Sequence, residues 1–308
     1  MTLAWVFNLD AERELAAIRG GGGLRLAAPA AAQLERAVAR LSGPPGAGGW
    51  VEPGDQVVDP AEPVLEGGRA PTRLAAWCPT PAVSTLAERL GLAMEAPPVE
   101  ALITANARET FADLDPLPGA GVHASEAAVR AAVMAPALER SGAGASARPA
   151  WVLRRSLCCA GSGKRVVESW DPATAAWARG ALEEGPVEVQ PVVDVVEEFS
   201  VHGRVDRRGR VRLGAPIRWA PDPVPVALPE GPERDRLRAT GREVGRRLAG
   251  LGYFGPFGVD GFRWARAGGE TRLQVGTDVN ARLTLHFAAG ARELLREGSL
   301  HQEHLAEG

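Results

Sequence analysis

The chain has 308 residues, of which 45% are hydrophobic and 24% charged, with a formal net charge of -3. This length allows two or three packed units, and the composition is that of a globular rather than a disordered chain. No apolar run approaches the ~20 residues of a membrane span, and Met1-Thr2-Leu3-Ala4-Trp5 lacks the basic start of a secretory leader, so a cytoplasmic protein without a membrane partner is expected.

In chain order, Leu3 to Leu9 reads as an apolar strand, and the acids of Asp10-Ala-Glu-Arg open a helix. A strand (Leu24 to Ala27), a helix (Ala30 to Leu41) and a Gly/Pro turn region (Gly43 to Gly54) follow. Arg73 to Cys78 is a further strand, with a helix from Thr80-Pro81 to about Leu90. Val99 to Thr104 reads as one more strand, after which Asn106 caps a short helix. Strands alternating with helices point to an open α/β sheet. Pro116 to Gly121 is a boundary. Beyond it come a helix at Ser125 to Arg140 and a flexible link at Ser141 to Arg148. The pattern then turns strand-rich: Trp151 to Ser156, Arg165 to Glu168, Val187 to Gln190 and Val195 to Val201, with a helix at Pro172 to Glu184. A hairpin spans Val205 to Trp219, the longest helix Glu233 to Leu251, and two strands flank the Gly268-Gly269 turn.

Several classes of chemistry are disfavoured. Acids are mixed among the arginines at 204–212 and 234–247, and aromatics are only 5%, which argues against a nucleic-acid partner. Cys78, Cys158 and Cys159 have no metal-ligand spacing and read as small buried residues. The five histidines form no zinc pattern.

Three segments carry chemistry. In Val152 to Lys164 a strand enters a loop of small residues and a strand leaves; such loops let backbone N–H groups approach an anion. It is not a P-loop, because the first glycine of that motif would fall on Cys158 and the residue after Lys164 is Arg165. Lys164 is the single lysine of the chain. In Val187 to Val201 a strand meets Pro191, which cannot donate to a ladder. The freed backbone groups could meet an adenine edge, and the carboxylates beyond them ribose hydroxyls. In the third segment Asp260 lies on a strand with apolar neighbours, and the next strand delivers Asp278 and Asn280, two residues apart and so on one face. Two carboxylates and an amide oxygen suit a hard cation such as Mg²⁺, and Arg282 is then placed to meet phosphate or a substrate carboxylate.

Together these segments resemble the ATP-grasp superfamily over about Pro116 to Leu285. The family order of phosphate hairpin, adenine hinge, Gly-x-x-x-hydrophobic-Asp strand and Glu-x-Asn strand appears as Arg154 to Lys164, Glu188 to Val193, Gly255 to Asp260 and Asp278 to Asn280. Two positions depart: Arg154 stands for the usual lysine, and Asp278 for the usual glutamate. The resemblance implies an α/β (α+β ATP-grasp) fold. It divides into an N-terminal pre-ATP-grasp open α/β domain (1–115), a small lobe with the phosphate loop (116–190) and a large lobe with the metal site (191–308). It implies ATP held by Arg108, Arg154, Lys164, Glu188, Gln190, Val193 and Glu198. Mg²⁺, with Mn²⁺ as a substitute, would sit on Asp260, Asp278 and Asn280, and Arg154 and Arg282 would be catalytic. The implied reaction activates a carboxylate as an acylphosphate for attack by an amine or other nucleophile. The partners are then small-molecule or peptide carboxylates and amines, and a homodimer is compatible. A degenerate module that binds nucleotide without chemistry is the alternative, because both departures fall on catalytic positions.

Overall fold

The computed structural model describes residues 2–22, 55–60, 63–65, 67, 70–136, 150–158, 163–219, 225–266 and 269–294. The expected elements at Leu24 to Ala27, Ala30 to Leu41 and Gly43 to Gly54, the 141–148 link, the end of the Ser125 to Arg140 helix, Gly268, and loop residues 159–162 with Cys159 lie outside them.

The first strand, β1 (Leu3–Val6), is buried along its length and lies between β2 (Gln56–Val57) and β3 (Arg73–Ala76), all parallel. Full burial fits an apolar run with no alternation, as parallel sheets demand. Helices α1 (Ala11–Arg19) and α2 (Pro81–Arg89) accompany this sheet. The expected strand at Val99 to Thr104 is instead helix α3 (Val99–Asn106). Its β-branched Val99, Ile103 and Thr104 favour a strand reading, yet the buried residues are Ala101, Leu102 and Ala105. Those are neighbours on a helix face, not alternating strand positions. Asn106 accordingly ends a helix rather than capping the start of the next one.

A second sheet is antiparallel in the order β4, β7, β5, β6. It comprises β4 (Gly121–His123), β5 (Trp151–Arg154), β6 (Lys164–Val167) and β7 (Val187–Pro191), covered by α4 (Glu126–Met134) and α5 (Pro172–Leu182). Ser125 and Asp171 cap the two helices by accepting from the N–H groups of Ala128 and Thr174.

The third sheet is the largest. The long strand β8 (Asp194–Val205) is central; β9 (Val211–Leu213) and β10 (Ile217–Trp219) both pair with it, and β11 (Val226–Ala227) edges the sheet. On its other side lie β12 (Gly255–Ala265) and β13 (Thr271–Asn280). The nineteen-residue helix α6 (Pro232–Gly250) packs across this sheet, and the short α7 (Phe287–Ala291) follows.

One hydrophobic core joins the N-terminal layer to the third sheet: Trp5, Phe7, Leu15, Trp77 and Leu102 pack with Val201, Val244, Phe257, Val259 and Phe287. The second sheet has a separate core of Val129, Val133, Trp151, Leu153, Val167, Ala178, Val187 and Val189. Among the described residues no helix is long and apolar enough to cross a membrane.

Candidate functional site

The third sheet brings the expected acidic residues together by register. Asp260 on β12 lies directly opposite Asp278 on β13, and Gly258 opposite Asn280. Directly opposed residues point to the same side, and so do residues two apart, so Asp260, Asp278 and Asn280 share one face. On the other flank Asp260 faces Ser200 of β8, which puts Glu198 on that face as well. A bulge next to Asp260 turns the strand here: the partner of Gly261 is Val275, and Gly276 sits at φ +74. Such an extra segment re-aims neighbouring side chains.

Across a cleft of about 210 Å³ the second sheet supplies cations. Arg108, Arg154, Cys158, Lys164, Glu198, Trp219, Phe262, Asp260, Thr277 and Asp278 line it. Arg154 and Lys164 are directly opposed on β5 and β6, and Arg154 is opposed by Glu188 on β7. Lys164 is exposed at the mouth, while Glu188 is largely buried, with its Oε2 3.6 Å from Arg154 and 3.7 Å from Arg108. Gln190 is buried on the same strand and lines an adjoining recess with Arg108, Glu188 and Asp278. Val193 lies in the two-residue gap between β7 and β8. Cys158 is half-buried and lines the cleft, unlike the fully buried Cys78.

Arg108 follows α3 and reaches both oxygens of Asp278, at 3.2 and 3.4 Å. Burial opposes its charge, but Asp278 and Glu188 hold the guanidinium protonated. For Arg154, burial and then the like charge of Arg108 pull the pKa down. Asp260 feels the reverse. Burial, followed by the charge of Asp278, pushes its pKa up to about 8. Asn280 Nδ2 donates to Asp260 Oδ2 at 3.3 Å. Two acids facing each other in a desolvated cleft are costly unless a cation joins them, so these donors fit a hard divalent ion.

Arg282 is placed differently from the expectation. It is buried behind the sheet end, where its Nε donates to Glu12 Oε1, its Nη1 donates to Leu283 O at 3.0 Å, and its guanidinium lies 5.4 Å from the Trp77 ring centre. Burial opposes this charge too, and Glu12 restores it. The side chain is absent from the cleft lining, because the chain turns after Asn280 and hands the arginine to the N-terminal layer.

Asn106 was not among the expected site residues. Its Oδ1 accepts from Ala281 N–H at 3.0 Å and its Nδ2 approaches Ala281 O at 3.4 Å, so one amide fastens the end of β13 just past Asn280. No local signal announces this contact, since its partner lies 175 residues away.

A scan against protein-family models finds no match, and a search of curated proteins finds none. Solved structures do match. D-cycloserine synthetase shares 17% identity over 96% of this chain and 97% of its own, with a TM-score of 0.49. D-alanyl-alanine synthetase A from Vibrio cholerae shares 12% over 91% and 88%, with a TM-score of 0.46. N5-carboxyaminoimidazole synthetase from Staphylococcus aureus complexed with ADP shares 9% over 92% and 71%, also at 0.46. The chain is an α/β protein in which three sheets follow one another in sequence, with the cleft between the second and the third.

Proposed function

We propose that the chain is an ATP-grasp ligase: it binds Mg-ATP in the cleft between the second and third sheets and activates a substrate carboxylate for attack by an amine or other nucleophile. The observation that carries this reading is the direct opposition of Asp260 and Asp278, with Asn280 on the same face and Arg108 beside Asp278, across a cleft from Arg154 and Lys164. Acids on one wall and cations on the other match a metal-bound polyphosphate, which needs both.

In this reading Arg154 and Lys164 hold phosphate oxygens, and the gap between β7 and β8 at Val192 and Val193, next to Gln190, receives the base. Glu198 meets the ribose. Asp260, Asp278 and Asn280 hold the divalent ion, which neutralises charge on the phosphates when bound. The substrate carboxylate attacks the γ-phosphorus, the bond to the β-phosphate oxygen breaks and ADP leaves. The nucleophile then attacks the acyl carbon and releases phosphate. Arg282, buried against Glu12 behind the metal strand, supports that strand from the N-terminal layer and takes no part in binding the carboxylate. No side-chain nucleophile is needed, because positioning and charge neutralisation supply the catalysis.

Release of ADP from Mg-ATP in the presence of pooled small carboxylates and amines tests the reading. Asp260→Asn keeps the shape and removes the charge, so turnover is expected to disappear. A variant as active as the parent overturns the metal assignment, whereas a parent that binds ATP without releasing ADP leaves binding alone as the function.

A further inference from the structure

We propose that the cleft takes one divalent cation rather than two, because the guanidinium of Arg108 already stands in the second cation position at Asp278. The inference rests on the metal-nucleotide reading above and concerns how many ions that site holds. In two-ion phosphoryl-transfer sites, ions about 3.5–4 Å apart share ligands, and each clamps one side of the transferring group. A carboxylate that bridges such a pair must offer one oxygen to each ion.

Asp278 cannot do this while Arg108 holds it. Nη1 and Nη2 of Arg108 approach Oδ1 and Oδ2 at 3.2 and 3.4 Å, a fork that occupies both oxygens from one side. Two further contacts and a turn keep the fork in place. The Arg108 backbone N–H donates to Ser156 O at 3.1 Å, the residue begins a 3-10 turn, and Glu188 Oε2 lies 3.7 Å from Nη1. The guanidinium is itself nearly buried, at 12% side-chain exposure, so a second dication beside it would meet a fixed like charge with little water to screen it.

The shorter acid strengthens the argument. Aspartate carries its carboxylate one methylene nearer the sheet than glutamate does, and cannot reach past the guanidinium to a further ion. Asp260, Asn280 and the outer lone pairs of Asp278 remain for a single ion. The arginine thus supplies permanently one of the two positive charges that a second metal would bring on binding.

Mn²⁺ counting by electron paramagnetic resonance tests this, with the full chain in excess over a non-hydrolysable ATP analogue. The parent is expected to bind one Mn²⁺ per bound nucleotide and to give the spectrum of an isolated ion. Arg108→Lys, which keeps a charge, should retain that count. Arg108→Met, which fills similar space without charge, should take a second Mn²⁺ and give the broadened spectrum of a coupled pair. Two ions in the parent, or an unchanged count in a folded Arg108→Met, overturns the inference while leaving the metal-nucleotide reading intact. No protein-bound Mn²⁺ in the parent overturns that reading and the inference with it.

Discussion

His202 shows how closely single residues in this sheet are fitted. It lies on β8 opposite Gly258, where an added methyl would meet the ring at 3.1 Å and Thr284 at 2.9 Å. Its Nε2 pairs with Thr284 Oγ1 at 2.8 Å, and its ring centre is 5.5 Å from that of Phe287. Burial, with His286 adding a smaller push, drives its pKa down to about 3. The folded state therefore keeps the imidazole neutral, while the unfolded chain binds a proton near pH 6.5. Since the unfolded state binds more protons between these values, stability is full above about pH 6.5 and falls as pH drops. We expect His202 alone to contribute a loss of about 1.4 kcal/mol per pH unit between roughly pH 6 and pH 4. Urea unfolding of His202→Gln across this range checks it: the variant should lose the corresponding slope, and an identical pH dependence would refute the assignment.

Among the elements, helix α6 meets its sheet through Gly241 and Gly245, one turn apart. A methyl on Gly245 would collide with both methyl groups of Val211, one of them at 2.9 Å, and would stand 3.1 Å from Phe257. Alanine improves helix propensity by about 1 kcal/mol, yet overpacking of about 1–3 kcal/mol opposes it. Gly245→Ala is therefore expected to be net destabilising by up to about 2 kcal/mol, read as a lower urea midpoint. A rise in the midpoint would mean the helix has room to move. Elements with strong local signals were legible in the sequence. The antiparallel strands β12 and β13 and the two-residue spacing of Asp278 and Asn280 follow from local pattern, whereas the strand expected to break at Pro191 runs through it and pairs with Trp151. What stayed hidden depends on distant partners. Val99 to Asn106 is a short apolar run whose type is decided by packing on α1 and β13, and Arg282 is drawn away by Glu12, 270 residues earlier. Neither tendency is encoded locally, and the pairing of Arg108 with Asp278 is equally remote.

Across the molecule, several separate hydrophobic clusters rather than one hold the described residues together. The second sheet packs on its own cluster, and polar contacts tie it to the remainder: Ser156, just past β5, accepts from Arg19 at 2.7 Å and donates to Glu109 at 2.6 Å, and Arg108 bridges to Glu188. Leu153→Ala, at a fully buried position of that cluster, should cost about 2–5 kcal/mol. Hydrogen exchange should then accelerate in β5, β6 and β7 well before it does in β1 and β3. Equal acceleration everywhere would show one cooperative unit. The core shared by the N-terminal layer and the third sheet has a different consequence, for the history and engineering of the chain. Because Trp5, Phe7, Trp77 and Leu102 fill the same interior as Phe257, Val259 and Phe287, the first hundred residues are not a detachable module. A fragment beginning near Pro116 would carry the whole acid-and-arginine cleft except Arg108, yet would expose the apolar back of its own metal-bearing sheet. Grafting a foreign N-terminal layer onto this cleft would require redesigning both sides of that interior together.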